Sequence, residues 1–520
     1  MTTFHHLMLP DDTKDTPRRY GVTGNGVTDD TAALTRLFEA GGDIYIPDGD
    51  YLIAGAGADT GGVAVTITKS TCVRCHPNAR FFTDSLDNDL IRFTVPSNGS
   101  GLPTDGITFE WRGGIFDQRE QKVSTVVPHI GDYPPVNAGA SATCDGLSVR
   151  GDYTDGVMKS GIKRTYIEGV TCIAGDHWES AGGDSGIFVG GCAQQTVTGC
   201  RFIGNRDLGV YTSGSTDGTL NCKTLITDCD FINCFYGASV KRSAGDSEIS
   251  NCTATNCVAG FLTSLAAGSG FNRVRIRGNS GSNLGTPIRL DLTIGFNVSD
   301  NHFTTLGALL EDGTTIEPIQ GCNGIDLRGC SYGICQNNTV RGIETGVAAA
   351  YPTQYMLFIL KQESTTATEC TRVEMVRNIG DGLRTAGTDA TGSNNSYIEN
   401  CVINAVTSAN VSNPGTNYFE LRIDPSTGMR GYANPVGFAD GTASAPSVAR
   451  RGQVNTGLFF AASRLGVSIA TVETLRVDND STAGNTRMMV FDVDNNALER
   501  VSVGAADSGG AGFKVLRIPN

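Results

Sequence analysis

The sequence predicts an all-β chain wound into a solenoid of parallel coils, and three observations carry that expectation. A Cys or Asn marker recurs every 22 to 29 residues through the middle of the chain. Short stretches rich in Val, Ile, Thr and Asn alternate with turns, in a composition holding 67 Gly and only two Trp. Only one segment, near the N-terminus, reads clearly as helix. A length of 520 residues exceeds one compact domain, leaving several domains or one elongated array, and the repeat selects the array.

The first element is a short arm, residues 1–19. Met1 to Pro10 contains two His and no basic-then-apolar run, and no window reaches the roughly 18 apolar residues that a membrane span requires. The expectation is a soluble chain, not classically secreted and without membrane insertion. The second element, Tyr20 to Ile53, parses as turn, helix, turn, strand, turn, strand. Thr28 or Asp29 can accept the free N–H groups of a helix in which Leu34, Leu37 and Phe38 share one face. Ile44 and Ile46 alternate with Tyr45 until Pro47 and the Asp48-Gly49 turn stop the strand ahead of Tyr51. With Gly24-Asn-Gly-Val-Thr-Asp-Asp-Thr31 and Gly41-Gly-Asp-Ile-Tyr-Ile-Pro-Asp-Gly-Asp-Tyr51, the stretch resembles the start of the pectate-lyase-like superfamily of right-handed parallel β-helices. That resemblance covers 34 residues and implies an N-terminal cap. Physics asks for one, because an open stack of coils would expose apolar interior and unpaired strand edges.

The third element is the repeat. Val170-Thr-Cys172, Thr198-Gly-Cys200, Thr227-Asp-Cys229 and Ser250-Asn-Cys252 are followed by Arg277-Gly-Asn279 and Ser299-Asp-Asn301, with Gln336-Asn-Asn338 and Glu399-Asn-Cys401 as looser echoes. Behind the markers come Asn205, Cys234 and Cys257, then Gly-apolar strands starting at Gly209, Gly237 and Gly260. Stacked coils should set these positions about 4.8 Å apart as ladders. The 16 Cys therefore read as buried thiols and not as disulfides or redox centres. Cys72-x-x-Cys75 has no second pair at zinc-ligand spacing, so no metal is expected, and no motif requires a cofactor.

From about Gly428 the pattern changes to Gly441-Thr-Ala-Ser-Ala-Pro-Ser447, Asn455-Thr-Gly-Leu-Phe459 and Glu473-Thr-Leu-Arg-Val-Asp478, ending in Gly512-Phe-Lys-Val-Leu-Arg-Ile-Pro-Asn520. This resembles the C-terminal segment of bacteriophage tail fibres and tailspikes. The organisation expected is an arm at 1–19, a parallel β-helix at 20–427 and a trimerisation or tip domain at 428–520. The resemblance implies a homotrimer in the phage virion, made in the host cytoplasm. The arm is then a peptide docking into a tail or baseplate adaptor protein, or a leader without a role. Forty basic against 54 acidic side chains give a net charge of −14 with the basic residues scattered, which argues against a nucleic-acid partner.

Virion origin implies a bacterial surface polysaccharide as partner. Glycosidases commonly use two carboxyl groups, about 5 Å apart for retention or roughly 6.5 to 9.5 Å for inversion. Aligning the strand glycines sets Asp184-Ser-Gly186 beside Asp207-Leu-Gly209, one coil on, and close carboxylates cannot both ionise cheaply. The loop Gly175-Asp-His-Trp-Glu-Ser180 adds Asp176 and Glu179 as further catalytic candidates, with His177 and with Trp178 as a stacking surface for sugar. Arg206, Tyr211, Lys241 and Arg242 are candidates for binding hydroxyls or acidic groups. The bland alternative is a set of solvated turn residues.

Gly182-Gly-Asp-Ser-Gly-Ile187 and Gly237-Ala-Ser-Val-Lys241 resemble two polygalacturonase motifs in part. The paired Asp is single here and no Gly-His-Gly follows, so that family's mechanism is not carried over. Glu311, Asp312, Glu317, Asp326 and Glu344 on later coils compete, and Lys241 or Tyr211 would serve as base in a lyase. Asp246 and Glu248 read as an exposed, charge-balanced turn. Two functions follow: a tailspike that depolymerises capsule, O-antigen or exopolysaccharide, with hydrolysis favoured over elimination, or a fibre that binds the glycan without cutting it.

Overall fold

The computed structural model describes residues 17–54, 62–83, 89–95, 106–119, 145–151, 162–174, 185–205, 207–214, 222–241, 246–264, 271–306, 323–342 and 369–381, with short strands elsewhere and backbone alone from 381 onward. Each coil contributes three strands, and strands of successive coils pair in parallel, so the coils stack as a three-faced prism. The first face starts with Gly42–Ile46 beside Thr71–Cys75. The second starts with Gly49–Leu52 beside Ala79–Phe82. The third starts with Val63–Thr66 beside Ile91–Thr94 and continues through Leu147–Arg150, Ser185–Gly190, Leu208–Ser213 and Tyr236–Lys241.

Strand alternation explains the core. On the third face Ile91, Leu147, Ile187, Val210, Ala238, Phe261, Ile288 and Ile325 lie in one register column, and all are fully buried. Their neighbours along each strand face outward, as a period of two requires. On the second face the interior column is rich in aromatics, among them Phe81, Phe116, Phe202 and Phe231. Phe202 and Phe231 stack at 5.1 Å and 9°, and at the N-terminal end Phe81 and Phe116 pack against Trp111 of the first face. Such ring pairs contribute about 0.5–1.5 kcal/mol beyond their burial.

The cap forms as the sequence predicts. Helix α1, Thr31–Ala40, buries Leu34, Leu37 and Phe38, and Phe38 packs on Phe93 and Trp111 at ring distances of 5.4 and 5.7 Å. Asp29 accepts the Thr31 N–H at 3.0 Å, one of the helix's free donors. Asp30 instead ties the preceding turn, accepting from Thr23 N at 2.7 Å and Gly24 N at 2.9 Å. A short strand, Asn25–Asp29, pairs with Gly49–Leu52 where only a turn was expected.

The marker column is real and its ends need correction. Register places Val170, not Cys172, beside Cys200, because Thr171 pairs with Arg201 and Cys172 with Phe202. Cys172 points into the core among the aromatics instead. Cys200, Cys229, Cys252, Asn279, Asn301 and Asn338 follow in order, then Asn378, which the sequence reading missed; Asn400, not Cys401, pairs with Asn378. The residue before each rung has positive φ: Gly199, Asp228, Asn251, Gly278, Asp300, Asn337 and Arg377, all between 54° and 65°. Gly, Asn and Asp tolerate that left-handed bend best, which is why this turn selects them.

A second positional rule sets the third face. Gly146, Gly186, Gly209, Gly237 and Gly260 share one column, where a Cβ would come within 2.6 to 2.9 Å of the next coil's carbonyl oxygen. The expected register of Gly209, Gly237 and Gly260 holds. Among the described residues the buried Cys, from Cys172 to Cys370, carry thiols outside any disulfide, and burial pushes the Cys192 thiol up to about 12.

The chain divides into two compact units, Met1–Gly431 and Tyr432–Asn520. The second contains a six-stranded antiparallel sheet running in sequence order from Val448–Arg450 to Ala497–Val503.

Candidate functional site

The outward side of the third face gathers the chemistry. Register aligns Arg92, Ser148, Phe188, Tyr211, Ser239, Leu262, Arg289 and Asp326 in one outward column, and Thr94, Arg150, Gly190, Ser213, Lys241, Ser264, Asp291 and Arg328 in the next. Arg92 to Arg328 spans seven coil steps, about 34 Å of track.

Four consecutive coils build a cation–aromatic row. The Arg150 guanidinium lies 4.9 Å from the Phe188 ring centroid. Phe188 meets Tyr211 edge to face at 5.1 Å and 83°. Lys241 Nζ lies 5.4 Å from the Tyr211 centroid. All four side chains are half-buried, so the row keeps a solvent-facing surface. Each cation–ring contact contributes about 0.5–1 kcal/mol at such exposure.

Buried carboxylates anchor one end. Asp89 accepts from Arg92 Nε at 2.6 Å and Arg150 Nη2 at 3.2 Å, and Asp145 accepts from the same Nη2 at 3.3 Å. Asp89 Oδ1 also accepts the Asp145 N–H at 3.1 Å, and Asp145 Oδ1 the Ser185 N–H at 3.2 Å. These carboxylates tie neighbouring coils together where each strand begins, and hold Arg150 against Phe188.

A second charged patch lies further along. Arg289 pairs with Asp326 in register and Asp291 with Arg328, so the two carboxylates are diagonal neighbours on adjacent coils. Arg328 donates to Asp326 at 2.6 and 3.1 Å, and Arg289 Nε to Asp291 at 3.2 Å. Burial raises the Asp291 carboxyl above its ordinary range, against the pull of Arg289 and Arg328. Backbone of the hairpin Ala308–Leu310 with Ile316–Pro318 packs beside the strands Ser280–Asp291 and Thr253–Ser264.

Of the sequence-predicted residues, Asp176, His177, Trp178, Glu179, Asp184, Arg206 and Arg242 lie outside the described residues, as do the side chains of Glu311, Asp312, Glu317 and Glu344. Tyr211 and Lys241 are brought together. Asp207 is half-buried at the start of its strand, with its carbonyl accepting Tyr236 N–H at 2.7 Å. Four residues separate it from Tyr211, about 13 Å along a strand. Ser185 and Leu208, each next in sequence to a predicted carboxylate, are register partners. Asp246 and Glu248 pair with Arg273 at 2.9 Å and Arg277 at 2.8 Å, a charge-balanced set on the first face.

Asp326, a competing candidate in the sequence, lies in the second patch; sequence reading missed Arg150, Phe188, Asp89, Asp145 and, within that patch, Arg289, Asp291 and Arg328. One signal was available: Arg289-Leu-Asp291 and Asp326-Leu-Arg328 are inverted copies, which meet as complementary charges only if their strands are in register. Among the described residues no group of three or more His, Cys, Asp or Glu could hold a metal, and no helix is long and apolar enough to cross a membrane.

A family model described as right handed beta helix region matches residues 141–280 and 185–354, and parallel coil-to-coil pairing runs through both spans. The fold is a right-handed β-helix. That hand is the one in which a twisted strand, crossing over, returns beside its parallel neighbour. No curated protein matches the chain. The β-helix is similar to the Yersinia enterocolitica family 28 exopolygalacturonase, at 11% identity and a TM-score of 0.52 over 78% of this chain and 76% of that one. Dettilon tailspike protein aligns at 13% identity and a TM-score of 0.46, over 91% of this chain and 75% of its own. Bacteriophage CBA120 tailspike protein 3 aligns at 12% and 0.47, over 94% and 68%. At such identities the likeness is one of fold.

Proposed function

We propose that this β-helix is a phage receptor-binding tailspike that recognises a bacterial surface polysaccharide along its third face and depolymerises it. The carrying observation is the row Arg150, Phe188, Tyr211 and Lys241, an aromatic platform between cations on a rigid and regular wall. An extended glycan matches a track of that length. The sequence resemblances at the two ends support the virion setting: residues 20–53 as a cap, and the segment from 428 as the tip of a homotrimer. In this reading the arm at 1–19 docks to a tail or baseplate protein.

For cleavage we assign Asp184 and Asp207 as the carboxylate pair, with Asp176 and Glu179 beside them and Trp178, His177, Arg206 and Arg242 as binding groups. The register of Ser185 with Leu208 supports their being neighbours. One carboxyl would protonate the leaving oxygen while the other activates water or attacks the sugar. Binding without cleavage is the second reading. It is favoured by the described carboxylates Asp89, Asp145, Asp291 and Asp326, each of which is engaged by an arginine.

The test is incubation of the wild type and of Asp184→Asn with Asp207→Asn against a panel of bacterial surface polysaccharides, following product size, reducing ends and ultraviolet absorbance. Chain shortening by the wild type alone establishes enzyme and site. Equal cutting by both shifts the chemistry elsewhere, with Asp291 and Asp326 next in line. Binding by both without cutting leaves a fibre, and absorbing products mean elimination.

A further inference from the structure

We infer that a slot at the corner where the third face turns into the first takes a neutral sugar ring, at a site separate from the third-face row. Register places Asp246, Arg273, Gly295, Tyr332 and Arg372 in one column on five successive coils. The column is filled at both ends and open in the middle. Arg273 Nε pairs with Asp246 Oδ1 at 2.9 Å, and the Arg372 guanidinium, one coil beyond Tyr332, lies 5.0 Å from its ring centroid. Between the two pairs stands Gly295, where an added Cβ would meet nothing nearer than Arg273 Cγ at 3.8 Å. Arg273 and Tyr332 are therefore two coil steps apart, about 9.6 Å. A ring touching both walls uses roughly 7–8 Å of that in van der Waals contact, and its pucker takes up the rest.

Conformation and exposure single out Tyr332. Its φ of 55° is left-handed, a costly conformation for a bulky side chain, whereas Gly, Asn or Asp fill the matching turn between the first and second faces on six of seven coils, from Gly199 to Asn337. Packing does not account for the ring, because Tyr332 is 57% exposed. Ile294, the residue before Gly295, forms the floor of the slot and is 46% exposed; with Val27 and Ile379 these are the four large apolar side chains that stand exposed among the described residues. The chemistry of the walls then selects the ligand. One wall is an aromatic ring, the floor is aliphatic, and the other wall is an ion pair that offers donors on Arg273 and acceptors on Asp246 without net charge. A pyranose matches that set: its C–H face lies on Tyr332 and Ile294, and the hydroxyls on its rim meet a mixture of donors and acceptors.

The experiment is saturation-transfer NMR on the full chain with a panel of neutral methyl hexopyranosides, and with N-acetyltryptophanamide as an aromatic probe. The proteins are the wild type, Tyr332→Asn, Gly295→Asn and, for the third face, Tyr211→Ala. Tyr332→Asn removes the ring at a φ that Asn accepts, and Gly295→Asn keeps the ring but fills the slot under the same φ rule; thermal midpoints at or near that of the wild type show that both fold. The expected result is transfer to at least one hexopyranoside, with Kd raised about three- to tenfold by each corner variant and unchanged by Tyr211→Ala. Transfer that survives both corner variants, or that only Tyr211→Ala removes, overturns the corner site and adds support to the third-face track. Transfer to the aromatic probe alone, lost in the corner variants, overturns the sugar and makes the slot a contact for a protein side chain. No transfer to any probe overturns the slot as a ligand site, and the polysaccharide-cleavage assay of the third face stands or falls separately.

Discussion

One turn of the solenoid uses two chemistries in the same column, thiols in its first half and carboxamides in its second. Cys229 Sγ reaches the Thr227 and Val197 carbonyls at 3.3 and 3.8 Å, and Cys252 reaches Ser250 and Ile226 at the same distances. Those are weak polar contacts around a small apolar group. Asn301 occupies the equivalent rung and makes a full set. Its Nδ2 donates to Ile276 O at 2.9 Å and Asn338 Oδ1 at 2.8 Å, while its Oδ1 accepts from Asn279 N and Nδ2, both at 3.0 Å. The first half of the column is held by packing and the second by a hydrogen-bonded ladder. A rung can thus be apolar or polar, provided every buried polar group finds a partner.

Removing the carboxamide should break the comparison hardest. Asn301→Ala strands the Asn279 donors and the Ile276 carbonyl, and roughly 3 kcal/mol or more of local stability should go with them. Hydrogen exchange at residues 276–338 reads this directly, and a loss below 1 kcal/mol would mean that the ladder carries little.

Alkali should act on the other half. Among the described residues seven buried thiols lie between Cys192 and Cys257, against three between Asn301 and Asn378. The Cys192 thiol is raised from 9.0 to about 12 in the fold. Above pH 9 the unfolded chain loses this proton while the folded chain keeps it, so stability present below pH 9 is lost as pH rises toward 12, by about 1.4 kcal/mol per pH unit for this group. Denaturant midpoints should fall steadily over that window, with exchange rising first at the cysteine coils. An unchanged midpoint would contradict the burial of these thiols.

The smallest effect sharpens the boundary between the halves. Cys252 N–H already donates to Asn279 Oδ1 at 2.9 Å, so Cys252→Asn should extend the ladder by one rung and change stability by no more than about 1 kcal/mol. Cys252→Ala should cost about as much as the lost side-chain burial, roughly 1 kcal/mol, and gain nothing in return. Thermal unfolding of the two variants separates these outcomes.

Much of the architecture could be read from residues alone, for local reasons. The cap was visible because Leu34, Leu37 and Phe38 form one helical face, and the coil because left-handed turns admit few residue types besides Gly, Asn and Asp. The register of Gly209, Gly237 and Gly260 followed from a position where a side chain would strike the next coil. Misreadings arose where coils differ in length: Asn378 follows Asn338 by 40 residues, far beyond the 22 to 29 of the clearest rungs, and Cys172 mimicked a rung two residues away from Val170.

Residue types by themselves determined that this chain coils, where its first turn is capped, and which turns repeat, since each depends on contacts within a turn or with the next equivalent one. Tertiary structure decided which side chains share the outer wall. Arg150, Phe188, Tyr211 and Lys241 are separated by 38, 23 and 30 residues, and no periodicity aligns them. They meet because interior columns and glycine contacts set each strand against its neighbour whatever length of loop lies between, and that alignment carries the outward residues with it.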